Sequence, residues 1–271
     1  MKKVLISICL LIYAFTAPCQ ASTLNHAEPQ KHSNFDKNPQ LSHEMRKKMR
    51  PYLLPMDHPT RPVLDALFAS GRPTSNPAAF EAAGFITLHT KPRSFIRVAR
   101  HPALPGYLFK VYLDSEQRRK NRKPGWEWLT ARCQGAAQVR SAIKKIHSRY
   151  FQAPRKWLYP LPPCSTMHAH PVILLVEDMD LASDEDTKYA WRHHMTHEHL
   201  HELYQIIRKG KGSSYRPDNI CLSRNGKFSF IDTEYPNQKG NLSTIGPYLS
   251  PDMRNYWRQL VDKKIKPAIV R

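Results

Sequence analysis

Between residues 84 and 113, short apolar runs alternate with polar, proline-bearing breaks: FITLHT, SFIRVAR and GYLFKVYL are separated by KPR and HPALPG. Runs of this length, bounded by turn formers, predict an antiparallel meander of three strands. Ahead of it, VLDALFAS (63–70) and PAAFEAAG (77–84) predict short helical pieces. From Trp126 to about Tyr150 the apolar positions Trp128, Leu129, Ala136, Val139 and Ile143 fall at mixed spacings of three and four, the period of a long helix, and Pro154 ends it. HPVILLVEDMDL (170–181) is apolar enough for a buried strand that leaves into a polar connection at Glu177. The stretch HHMTHEHLHELYQIIRKG (193–210) predicts an amphipathic helix with Met195, Leu200, Leu203 and Ile207 inward, stopped by Gly210. ICLS and FSFID flank Arg-Asn-Gly-Lys as a hairpin with Asn225-Gly226 at its tip, and a last helix is expected from Pro251 to Asp262.

The two ends of the chain read differently from this middle. MKKVLISICLLIYAFTAPCQAS has a basic start, an apolar run from Val4 to Phe15 and small residues before Ser22, the pattern of a signal peptide over 1–21. The run is shorter than the roughly 20 residues that span a bilayer, so no transmembrane span is expected once the signal is removed. The expected location is exported, periplasmic or secreted. Residues 22–60 are polar, rich in His, Asn, Lys and Pro, and weakly periodic, which predicts a flexible arm. A globular domain is expected over 61–271.

Charge adds a partner class. The formal net charge of the 271-residue chain is +20, and losing Lys2 and Lys3 with the signal lowers it to +18. The basic residues cluster at Arg46–Arg50, Arg118–Lys123 and Lys263–Lys266, which favours an acidic protein or another polyanion. Outside the leader only Cys133, Cys164 and Cys221 remain, too few for a disulfide framework.

The chemistry concentrates near the C-terminus. Asn219 in RPDNICL and Asp232 in FSFIDTE stand thirteen residues apart with a hairpin between them. An amide oxygen and a carboxylate brought side by side in this way are the ligands that hold Mg²⁺ against nucleotide phosphates. With Lys110 in the third strand, YLFKVYL, and the element order of three strands, helix, strand pair, linker, helix, loop and hairpin, the chain resembles the protein-kinase-like superfamily from about Gly84 to Asp232. The resemblance implies a two-lobed α+β fold with an N-lobe over about 84–178 and a C-lobe over about 179–271. It implies ATP and Mg²⁺ as cofactors, Lys110 on the phosphates, Asn219 and Asp232 on the metal, and a hinge from Glu177 to Met179 beside the adenine.

Departures from that pattern are as informative. The position of the catalytic aspartate is Ser214, whose hydroxyl cannot accept a substrate proton as a carboxylate does; Asp218 is the nearest substitute. LHTKPRSF lacks the glycines of the phosphate loop and offers Lys91 and Arg93 instead. The long helix holds one carboxylate, Glu127, as a partner for Lys110, and only 39 residues follow Asp232, so the C-lobe is reduced. The resemblance is therefore to a degenerate or atypical kinase, or a pseudokinase, that is either inactive or active in phosphotransfer or nucleotidyl transfer.

A rival reading comes from His197-Glu198-His199-Leu200-His201, which satisfies H-E-x-x-H and would place His197 and His201 one turn apart as zinc ligands of a hydrolase. A third needs no catalysis: a basic module that binds a polyanion or partner protein.

Overall fold

The computed structural model describes residues 33–69, 71–90, 96–116, 123–164 and 169–262. The expected signal peptide, residues 22–32, Lys91, Arg93 and the greater part of the second and all of the third basic cluster lie outside these residues.

The chain folds as α+β. Five antiparallel strands form one sheet in the order β1-β2-β3-β6-β5: β1 (Ile86–Thr90), β2 (Arg97–Arg100), β3 (Tyr107–Val111), β5 (Lys156–Pro160) and β6 (Val172–Glu177). The expected meander supplies the first three, and β6 is the buried apolar run. Both faces of the sheet are covered, so its central strands carry no polar-out alternation. Phe109, Val111, Tyr159, Ile173 and Leu175 face the helices α3 (Arg61–Ala69) and α4 (Pro77–Ala82) through Leu64, Phe68 and Phe80. Leu158, Val172, Leu174 and Val176 point the other way, into a cluster with Leu129 and Cys133 of helix α5 (Gly125–Lys145).

A smaller sheet joins β4 (Phe151–Gln152), β8 (Phe228–Phe230) and β7 (Ile220–Leu222) in that order, with β4 parallel to β8. Helices α6 (Asp184–His193), α7 (His197–Gly210) and α8 (Pro251–Val261) pack Trp191, Leu200, Leu203, Ile207 and Trp257 onto it. At the hairpin tip, Gly226 takes φ +80°, the left-handed conformation that glycine adopts without steric cost.

Four expectations change. The polar arm is ordered from Ser33 onward: α1 (Ser33–Asp36), α2 (His43–Met49) and the turn between them bury Phe35, Met49 and Leu41 against the α5 face of the large sheet, and Leu54 N–H donates to Leu158 O at 2.8 Å. These apolar residues are spaced too irregularly to show a period, yet each fills a gap in a cluster supplied by distant segments. The long helix stops at Lys145, where His147 turns to φ 51°, well before Pro154. The histidine-rich helix starts later than expected: His193 ends α6, and Thr196 caps the start of α7 by accepting from His199 N–H. The polar connection after Glu177 includes α6, capped by Ser183.

Among the described residues, no helix is long and apolar enough to cross a membrane. Cys133 and Cys221 are buried free thiols.

Candidate functional site

Lys110 lies in the middle of β3, opposite Val98 on β2 and Leu174 on β6. Its neighbours Phe109 and Val111 are fully buried on the α3–α4 face, so alternation turns Lys110 toward α5. The same alternation turns Lys156, two positions before Leu158 on β5, to that face. Lys156 is 5% exposed, and its Nζ donates to Ile231 O at 3.0 Å and to Thr233 Oγ1 at 2.8 Å. Burial first, and then the adjacent Lys110 charge, push the Lys156 ammonium well below its ordinary 10.5, while Asp232 pulls it back up.

Thr233 passes the connection on. Its hydroxyl donates to Arg132 O of α5 at 2.8 Å while accepting from Lys156. Arg132 is 3% exposed, its guanidinium pairs with the Glu234 carboxylate, and its Nε lies 3.8 Å from Asp232 Oδ1. Burial works against that charge, but Asp232 and Glu234 outweigh it and keep the guanidinium protonated. Such a pair is costly to desolvate and more costly to break, because either partner alone would be a buried charge.

The backbone makes this closeness possible at Gly135, one helical turn on from Arg132. A Cβ there would sit 2.0 Å from Thr233 O and 2.3 Å from Gly212 O, and a Cβ on Gly212 would sit 2.2 Å from Gly135 O. Only two glycines allow α5, the loop after α7 and the segment after β8 to meet.

In that loop, Ser213 Oγ donates to Asp232 O at 2.8 Å, and Asn219 Nδ2 donates to Ser214 Oγ at 2.9 Å. Ile231 N–H donates to Asn219 O at 3.0 Å, so the hairpin sets Asn219 beside the strand end that carries Asp232. Asp218 faces outward, half exposed, with its carboxylate 3.0 Å from Arg216 Nη2. Glu177 accepts from Arg155 N–H at 2.6 Å and ends β6; half-buried Met179 follows Asp178, whose N–H donates to Gly106 O at 2.8 Å. Glu127 lines a cavity of about 660 Å³ with Lys48, Tyr52, Trp126, Trp128, Glu234 and Tyr235, so Glu234 faces both this cavity and Arg132.

The sequence therefore named Lys110, Ser214, Asn219 and Asp232 and missed Lys156, Arg132, Thr233 and Gly135. A lysine inside the apolar KWLYP and a lone glycine within a helical period were legible signals; Arg132 gave none. Arg132 Nε lies 3.8 Å from the Asp232 carboxylate, beyond hydrogen-bonding distance.

The H-E-x-x-H segment is used locally. His197 stacks on Tyr256 at 3.9 Å and His199 on Tyr150 at 3.9 Å, and Glu198 accepts from Thr196 Oγ1 at 2.6 Å. His201 is 8% exposed and lies 6.0 Å from the Tyr256 ring. Among the described residues, no three His, Cys, Asp or Glu side chains converge as a metal set.

No family model matches the chain, and no curated protein matches it. Among solved structures it is similar to Rv3197 from Mycobacterium tuberculosis, determined in complex with erythromycin, at 16% identity and a TM-score of 0.33, over 73% of this chain and 57% of that one. The chain thus spans little more than half the length of that neighbour, and a likeness at this level decides neither fold nor chemistry.

Proposed function

We propose that this is an exported, two-lobed kinase-like protein that binds a nucleotide and has lost ordinary phosphoryl transfer, a degenerate kinase or pseudokinase. The observation that carries the reading is the meeting of Lys156, Arg132 and Asp232 beneath the sheet face that also bears Lys110: Lys156 Nζ donates to Ile231 O and Thr233 Oγ1 on either side of Asp232, and Arg132 Nε lies 3.8 Å from the Asp232 carboxylate. The element order β1-β2-β3, α5, β5-β6, α7, β7-β8 supports it as well. Lys110, partly exposed, contacts the phosphates, and the chain from Glu177 to Met179 lies along the base. Ser214 offers a hydroxyl already engaged by Asn219, and no carboxylate takes the proton-accepting position there. The high net charge supports an anionic partner in addition.

Thermal unfolding with and without ATP tests the reading, since a ligand of the folded state at a hundredfold excess over its Kd adds about 2.7 kcal/mol. Lys110→Ala is expected to lose the shift. A wild-type chain indifferent to ATP, or an undiminished shift in Lys110→Ala, would sink it.

A further inference from the structure

We propose that the cavity of about 660 Å³ lined by Tyr52, Trp126, Glu127, Trp128, Gln134 and Tyr235 binds an uncharged carbohydrate, a short oligosaccharide whose ring faces pack on the aromatic side chains. It does not depend on the nucleotide reading, which uses none of these six residues.

The cavity is built from three segments. Glu127, Thr130, Ala131 and Gln134 stand at i, i+3, i+4 and i+7 on α5 and share one face of it, and the small Thr130 and Ala131 leave open space along that face. Tyr52, from the N-terminal segment, and Tyr235, from the chain after β8, complete the wall, with Tyr235 edge-on to Trp128 at 6.4 Å between ring centroids. Four rings give flat, rigid apolar surface that loses little rotamer freedom on binding and fits the C–H face of a sugar ring.

Polar groups between the rings have hydrogen-bonding capacity to spare. Among the described residues, the Tyr52 hydroxyl, the Trp126 indole N–H, the Glu127 carboxylate and the Gln134 and Gln238 amides make no hydrogen bond to the protein. Burial raises the Tyr52 phenol above its ordinary value, so it stays a neutral hydroxyl. A phenol and two amides each offer a donor and an acceptor, which suits ligand hydroxyls that also give and accept. Charge argues against an ion. Lys48 is paired with Glu44 at 2.8 Å and Glu234 with Arg132, which leaves Lys123 and Glu127 to cancel one another on the same wall. Lys123 Nζ lies 5.4 Å from the Trp128 ring centroid, so a ligand cation would compete with an ammonium that the chain itself supplies.

The test is calorimetric titration of the full chain with uncharged trisaccharides of α-linked glucose, β-linked glucose and β-linked N-acetylglucosamine, against tetramethylammonium as the cationic probe and a galacturonic acid trimer as the anionic one. At least one neutral trisaccharide is expected to bind with a Kd in the millimolar range or below, and more tightly than either ion. Trp126→Ala is expected to weaken that binding about tenfold, and Ala131→Phe, which puts a ring into the open space, to abolish it. No binding by any neutral trisaccharide, tighter binding of either ion, or undiminished affinity in Trp126→Ala overturns the proposal. Should either variant unfold at a lower temperature than wild type, Gln134→Ala decides: it removes one half-buried amide, a loss of roughly three- to tenfold in affinity is expected, and an unchanged Kd overturns the proposal.

Discussion

At the start of α7 a histidine-rich motif is handled by its nearest neighbours, whereas around Asp232 the side chains come from β3, β5, α5, the loop after α7 and the hairpin. His197, Glu198 and His199 find Tyr256, Thr196 and Tyr150. In the second region Arg132 reaches Glu234 across 102 residues, and Lys156 reaches Thr233 across 77. The first region satisfies a short pattern with residues that serve as a cap and as stacking faces. The second satisfies a sparse pattern with residues that depend on one another, and dependence of that kind marks a built site. The two should therefore respond differently to substitution.

Gly135→Ala should have the largest effect, because the new methyl meets backbone oxygens of Thr233 and Gly212 that have little room to yield. A loss of about 3 kcal/mol is expected, seen as a Tm lower by roughly 10 °C for a domain of this size. A Tm within a degree or two of wild type would mean that α5 and the loop are not held together as described.

Thr233→Val keeps the shape and removes the hydroxyl between Lys156 and the Arg132 carbonyl. Leaving a buried donor and a buried acceptor without that partner should cost about 2 kcal/mol in denaturant unfolding. Should Thr233→Val unfold like wild type, Lys156 and Arg132 are not coupled through it.

Lys156 gives the comparison a pH signature. An ammonium whose pKa is depressed by folding binds fewer protons in the folded chain than in the unfolded one, so its contribution to stability rises as pH climbs toward the ordinary 10.5. Lys156→Met abolishes that slope. The stability of wild type relative to the variant should increase between pH 8 and 10, by at most about 1.4 kcal/mol per pH unit. Parallel pH profiles for the two proteins would place Lys156 in water rather than in the core.

Changes in the α7 region should be smaller. Thr196→Ala removes the cap bonds to His199 and should cost about 1 kcal/mol, read from the unfolding midpoint, with ATP binding unchanged. Smallest of all, His201→Gln should leave both ATP binding and the response to EDTA as in wild type. A Tm that falls in EDTA for wild type but not for His201→Gln would restore the zinc reading.

Local pattern alone determined much of this protein. The meander, the buried strand β6, the Asn225-Gly226 hairpin and the helix over Pro251–Val261 stand where period and turn chemistry put them, because each of those signals is carried by adjacent residues. Lys110, Ser214, Asn219 and Asp232 were legible for the same reason, as residues at fixed offsets in short segments. What tertiary structure decided is the set of contacts between segments that no local rule connects. Phe35 and Met49 became core because the α5 face of the sheet had space for them. Arg132, one basic residue in a helix with several, became the partner of Asp232 and Glu234 because Gly135 and Gly212 let α5 lie against the chain after β8. Packing at backbone distance is a property of two surfaces at once, and a single stretch of sequence carries only one of them.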